Sequence, residues 1–396
     1  MSTATGEPTA EVLEGIGRVV DAGAQIQESP ETMVPYMRED HPVRKAIEIS
    51  ERPRVDVYAG TSAFPLAQYK RRNAEGTLMT EGSPGAGDGP GDEDDEEVLM
   101  PSQYGDIGES IGGDEVASLF ENIGVDAGVI NPTLHAGLAE VQNDRFAVEM
   151  ARAYNEWLLD NVADHDSIMG NMVVAPQVPH KAAEEIDARA DKDDIVGIQL
   201  PAAGLHPAPG HRRYDPIYEA ASDHGLPISM HATVGAKAFA QQFNYATTYA
   251  EDFAIQPTFA QFANITSMMF NGTPERFSDL DFVIQGGGLG YAPYLKHRLD
   301  DHYLELGYEI PELEQLPSDY MAENFYWCTH PIGEPSPEYL EKMIRMLGTE
   351  NVLFTSDVPH PYTDRPVDFL SLVGNQFEQN ELKRLMAGNA TDLFGI

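Results

Sequence analysis

The segment from Asn351 to His360, NVLFTSDVPH, runs an apolar strand straight into an aspartate, a proline and a histidine. A carboxylate at the exit of a buried strand can serve as general base, proton shuttle or metal ligand. An imidazole three residues on can orient it or touch a substrate. Comparable exits recur along the chain, at Gln25 in DAGAQ, His231 in LPISMH, Gln285 ahead of Gly286 to Gly288, and His330 in CTHP. Brought together, these acids, imidazoles and amides would line a polar pocket for a small, oxygen-rich molecule. The QGGGLG run lacks the spacing and the downstream acid of a dinucleotide site; its glycines suit close approach of backbone to the pocket.

Such exits converge only if they share one end of a parallel sheet. Apolar runs predict eight strands: Arg18 to Ala22, Val125 to Asn131, Ile168 to Val174, Ile195 to Leu200, Leu226 to His231, Asp281 to Gln285, Asn324 to Cys328 and Asn351 to Asp357. Helical patterns lie between most of them, among them Arg145 to Val162, Lys181 to Ala190, Ile217 to His224, Ala292 to Tyr303 and Pro337 to Leu347. Alternating strand and helix argues for a parallel sheet, and a count of eight for a closed α/β barrel, the TIM (β/α)8 fold, in a single domain over residues 1–396. The first connection is much longer than a βα loop. It holds a helical pattern, Pro42 to Ile49, and an acidic Gly/Pro-rich run at 80–98 that is too poor in apolar side chains to order itself. A disordered insertion over the barrel mouth is expected there.

The 396 residues include 65 acids against 25 bases, a formal net charge of -40. Acid spread along the whole chain suits a halophilic protein whose self-repulsion is screened by salt. It opposes binding to nucleic acid or an anionic membrane. Neither a signal peptide nor a membrane span is legible, so a cytoplasmic protein is expected. The single cysteine, Cys328, excludes an internal disulfide and sits in the apolar run FYWC, where a buried, inert thiol is expected. His206, His211, Arg212 and Arg213 form a cationic spot that could draw in an anionic substrate or be spent on surface ion pairs.

The succession IVGIQLP, RRYDPIYEAASDHGLPISMHA, FVIQGGGLGYAPYLKHRLDDHY and NVLFTSDVPHP, with ARAYNEWLLDNV and VVAPQVP, resembles the amidohydrolase-related branch of the amidohydrolase superfamily. That branch includes aminocarboxymuconate-semialdehyde and resorcylate decarboxylases and some C–C and ester hydrolases. The resemblance runs from about Arg18 to the C-terminus, broken by the acidic insertion. It implies a TIM barrel and a hydrolase or carboxy-lyase (decarboxylase) for a small carboxylated compound, aromatic or not.

Members usually bind a divalent metal through two first-strand donors, a fifth-strand His and an eighth-strand Asp. Carried over, the last two are His231 and Asp357, but the first two fall on Gly23 and Gln25. Glycine offers no donor and a Gln amide is a weak one, so a conventional zinc site is not expected. The cofactor is none, or a weakly held Zn or Mn on His231 and Asp357. Gln285 replaces the His of a sixth-strand His-Gly-Gly run. On this reading Asp357 and His231 are catalytic, while His330, His360, Gln285 and Gln25 contact substrate. Asp357 could instead cap a helix, and His231 could be a core histidine. The alternative to an enzyme is a non-catalytic paralogue serving as a binding or partner subunit. A homodimer, or a hetero-oligomer with a homologue, is implied.

Overall fold

A computed structural model describes residues 15–49, 110–231, 249–333, 336–359 and 363–396. The acidic run at 80–98 and His360 lie outside the described residues. Eight parallel strands follow one another around one sheet in chain order: β1 Val20–Ile26, β2 Ala127–Pro132, β3 Ile168–Val173, β4 Ile195–Pro201, β5 Ile228–His231, β6 Phe282–Gln285, β7 Phe325–Cys328 and β8 Val352–Leu353. The sheet closes where the Ala22 N–H donates to the Phe354 carbonyl (2.9 Å) and the Gln25 N–H to that of Val358 (2.8 Å). The main helix after each strand is α1 Gly113–Ile123, α2 Asp144–Val162, α3 Pro179–Arg189, α4 Asp215–His224, α5 Tyr249–Phe270, α6 Ala292–Leu306, α7 Pro337–Leu347 and α8 Pro366–Val373. The fold is the expected TIM barrel.

Strands buried on both faces must be apolar almost throughout, and β4, IVGIQLP, is buried at every position. Helix α2 starts where the Asn143 side chain accepts from the Arg145 and Phe146 N–H groups, at 3.1 and 3.3 Å. It buries Met150, Ala153, Tyr154, Trp157 and Leu158. Gly170 lets it lie flush on β3, since a Cβ there would stand 2.7 Å from Leu158 Cδ2. Inside the barrel the floor is polar: Asn171 Nδ2 donates to Asn131 Oδ1 (2.7 Å) and Ser229 Oγ (3.1 Å), and Asn131 Nδ2 to the Ala24 carbonyl (3.2 Å). These bonds pair groups that burial would otherwise leave unsatisfied.

The chain after β1 is tied down by Glu149 of α2, whose side chain has 0% exposure. Its carboxylate accepts from the Arg38 N–H and Nε, both at 2.7 Å, and from Arg152 Nη2 at 2.9 Å. Burial alone would raise its pKa, but the Arg152 and Arg38 bonds outweigh it and hold the group at about 2. Cys328 is buried and unpaired, and burial pushes its thiol well up, as expected of an inert residue. No described helix is long and apolar enough to cross a membrane.

Most strand bounds lie within two residues of expectation, and two strand ends differ by more. β1 runs on past Ala22 to Ile26, with an irregular register between Asp21 and Ala24. β8 stops at Leu353, four residues short of the expected end, and the chain then turns through the left-handed region at Asp357 (φ 62°). Helix α5 was not expected: its apolar residues fall on all sides and it contains Pro257, so no stripe marks it.

Candidate active site

The carboxyl ends of β1, β5 and β7 and the turn after β8 each bring one polar side chain to a common point. Gln25 Nε2 lies 2.9 Å from His231 Nε2 and donates to Asp357 Oδ1 at 3.1 Å. An amide N–H can only donate, so His231 Nε2 accepts and the ring proton sits on Nδ1. The reverse amide orientation would set two oxygens against each other at Asp357. His231 Nδ1 is then a buried donor with no hydrogen-bond partner among the described residues.

On its other side Asp357 meets His330, with Oδ2 3.3 Å from Nε2. The far nitrogen of that ring, Nδ1, lies 2.8 Å from Asp364 Oδ2, which also accepts the Ile332 N–H at 3.0 Å. The His330 N–H donates to Thr355 Oγ1 at 2.9 Å, fixing the backbone from which the ring projects. Burial alone would lower the His330 pKa, but the charges and hydrogen bonds of Asp357 and Asp364 prevail and raise it to about 10. At neutral pH His330 is an imidazolium held between two carboxylates.

Asp357 itself is strained. A non-glycine residue at φ 62° is uncommon, although aspartate tolerates the left-handed region better than most. Asp21 holds the turn from below. Its Oδ1 accepts the N–H groups of Gly23 (2.9 Å) and Ser356 (3.1 Å), and its Oδ2 accepts the Ser356 hydroxyl. Ser356 Oγ in turn accepts the Val358 N–H at 3.0 Å, so both neighbours of Asp357 are fixed. Burial raises the Asp21 pKa to about 6, against the lowering effect of the Ser356 and Gly23 bonds.

Of the residues singled out in sequence, Asp357, His231, His330 and Gln25 meet here. Gln285 stands beside Gly23, where its Nε2 straps the Ala22 carbonyl at 2.8 Å; its buried Oε1 has no hydrogen-bond partner among the described residues. Gln261 of α5 bonds the carbonyls of Met230 (2.5 Å) and Gln285 (2.8 Å), fixing the ends of β5 and β6. In the cationic spot Arg213 donates to the carbonyls of His206 and Gln177, both at 2.9 Å, and Arg212 stays exposed. Asp364, Asp21 and Ser356 were not singled out as site residues. Asp364 lies in a loop with no motif, and only its three-dimensional place beside His330 gives it meaning.

The donors do not fit the family's metal. The Gln25 amide nitrogen lies between His231 and Asp357, the two donors that remain. At Gly23 an added Cβ would stand 2.8 Å from Thr355 Cγ2 and 3.6 Å from Gln285 Nε2, so the lost side chain's place is filled. Among the described residues no group of three or more His, Cys, Asp or Glu could hold a metal ion.

A family model described as Amidohydrolase matches residues 122–396. No curated protein matches the chain. Among solved structures it is similar to 5-carboxyvanillate decarboxylase from Sphingomonas paucimobilis (20% identity, 96% of this chain and 99% of that one, TM-score 0.67). An amidohydrolase from Mycobacterium avium subsp. paratuberculosis K-10 gives 17% identity over 96% and 99% of the two chains, TM-score 0.68. A dihydroxybenzoic acid decarboxylase from Polaromonas sp. JS666, with bound manganese and 2-nitroresorcinol, gives 15% over 96% and 97%, TM-score 0.63. At these identities the likeness establishes the shared barrel.

Proposed function

The chain belongs to the amidohydrolase family, and from that premise we propose a carboxy-lyase or hydrolase acting on a small carboxylated, aromatic compound. One observation carries the reading: a strained Asp357 is in contact with an imidazolium, His330, and close to a second imidazole, His231, at the carboxyl end of the barrel. Aspartate and imidazolium in contact can move a proton, and the His231 Nδ1–H can donate to a developing oxyanion. In the lyase form the bond from ring carbon to carboxylate breaks and carbon dioxide leaves. The electron pair stays on the ring carbon, which takes a proton from His330; water returns that proton. The decarboxylases among the structural relatives support the substrate class.

The test is a panel of hydroxybenzoates and of aryl esters and amides, assayed in high salt with wild type and Asp357→Asn. Loss of turnover in the variant is expected; an unchanged rate would remove Asp357 from the chemistry. A second reading, a non-catalytic subunit, is favoured by Gly23 and Gln25. Stable co-purification with a homologue that has both first-strand donors, and no turnover alone, would establish it. The charge of -40 supports a soluble protein of a high-salt cytoplasm.

A further inference from the structure

The geometry points to a permanent replacement of the divalent metal by the Gln25 carboxamide, with Thr355 and Gln285 closing the place of the other lost donor. This goes beyond the functional reading and holds for either form of it, because it concerns what the site can bind rather than what it turns over. His231 Nε2 and Asp357 Oδ1 lie 3.7 Å apart, and one NH2 group reaches both, at 2.9 and 3.1 Å. Each N–H points at a lone pair that a metal would need, so a cation must first break two buried hydrogen bonds. The amide thereby does the structural work of an ion, joining β1 to β5 and to the turn after β8.

Position 23 is closed independently. A Cβ there would lie 2.8 Å from Thr355 Cγ2 and 3.2 Å from Thr355 Cβ, too close unless Thr355 shifts. Thr355 is itself held, its Oγ1 accepting the His330 N–H at 2.9 Å. Nor can Gln285 swing aside without leaving the buried Ala22 carbonyl short of its 2.8 Å bond. Both places are therefore occupied by side chains that are themselves held: Gln25 by His231 and Asp357, Gln285 by the Ala22 carbonyl and Thr355 by the His330 N–H. A neutral amide cannot lower the pKa of water as a bound cation does. Metal-hydroxide hydrolysis is thus not what this arrangement serves, and proton transfer among Asp357, His330 and substrate remains.

The experiment uses the full chain, expressed with zinc and manganese in excess and purified in high salt. Expected are far less than stoichiometric metal by elemental analysis, no change in melting temperature with chelator or with added Mn2+, and no visible absorption on titration with Co2+. Gln25→His places an imidazole beside His231 and Asp357 and should gain Co2+ absorption and a zinc-dependent rise in melting temperature. Gln25→Ala should melt below wild type and stay there when Zn2+ is added. Stoichiometric, chelator-removable metal in the wild type would overturn the inference, as would zinc restoring Gln25→Ala to wild-type melting. A folded Gln25→His chain that takes no Co2+ would also overturn it, since the amide would then not be what excludes the ion. If Gln25→His does not fold, the wild type and Gln25→Ala decide the matter. None of these readouts requires turnover.

Discussion

Asp21→Asn should make the protein more stable at pH 8 while leaving Asp357 in place. The carboxyl of Asp21 is buried, and its pKa rises from 3.8 to about 6. Ionised Asp21 is therefore less favourable in the folded chain than in the unfolded one. That penalty is absent below 3.8, enters as pH rises toward about 6, and is complete above it. At about 1.4 kcal/mol per unit, it amounts to about 3 kcal/mol. An Asn amide can keep most of these bonds: its Oδ1 can accept the Gly23 and Ser356 N–H groups, and its NH2 can donate to Ser356 Oγ, which retains a lone pair for the Val358 N–H. The Ser356 hydroxyl proton gives up its acceptor, which makes about 3 kcal/mol an upper bound. Urea unfolding followed by the fluorescence of buried Trp157 and Trp327, at fixed high salt and at pH 8, 6 and 4.5, measures the difference. The variant should exceed wild type by up to about 3 kcal/mol at pH 8, and the gap should shrink through pH 6. Groups untouched by the substitution cancel in the comparison. Asp21→Ala should destabilise at every pH, because the donors on Gly23 and Ser356 lose their acceptor. If Asp21→Asn is instead less stable at pH 8, or its offset does not change with pH, the buried charge is compensated and the reasoning fails.

Glu149→Gln should lose about 3 kcal/mol at pH 7, the worth of a carboxylate held at about 2 rather than 4.5. That stability is present above pH 4.5 and disappears as pH falls through about 2, so the gap measured by urea unfolding should narrow in acid; a constant gap would refute it. Asp364→Asn loosens His330, whose raised pKa stabilises the fold fully below 6.5 and no longer above about 10. Thermal melts should place this variant below wild type at pH 6, with the two converging as pH climbs past 8. The net charge of -40 predicts a melting temperature that rises as KCl is raised from dilute buffer to molar concentration; a flat or falling profile would count against adaptation to salt.

Each strand of the barrel was legible because strands buried on both faces leave continuous apolar runs between turn residues. The ends were less so. The apolar run continues past Leu353, where β8 stops, and the left-handed turn at Asp357 is braced by Asp21, far away in sequence, through the Ser356 N–H. Site residues were visible where the fold delivers them at strand exits, as with His231 and Asp357. They were invisible where a loop delivers them: Asp364 reaches His330 across 34 residues. Gln285, at a strand exit from which contact with substrate is expected, has a structural bond that its position did not reveal, its amide donating to the carbonyl of Ala22.

Retention of His231 and Asp357 does not by itself separate an enzyme from a relic, because the Gln25 amide gives both a structural task. The backbone at Asp357 bears more directly on the choice. A left-handed conformation costs an ordinary L-residue about 1–2 kcal/mol, and glycine nothing. A barrel kept only as a scaffold would gain by relaxing that turn. Instead Asp21, Ser356 and the Gln25 N–H bond to Val358 all hold it, and Asp21 does so while bearing a desolvation penalty of its own. The strain keeps one carboxylate oxygen toward Gln25 and the other toward the His330 imidazolium. Such an arrangement has a use where Asp357 and His330 exchange a proton with a third molecule, and for that reason the catalytic reading is preferred to the architectural one.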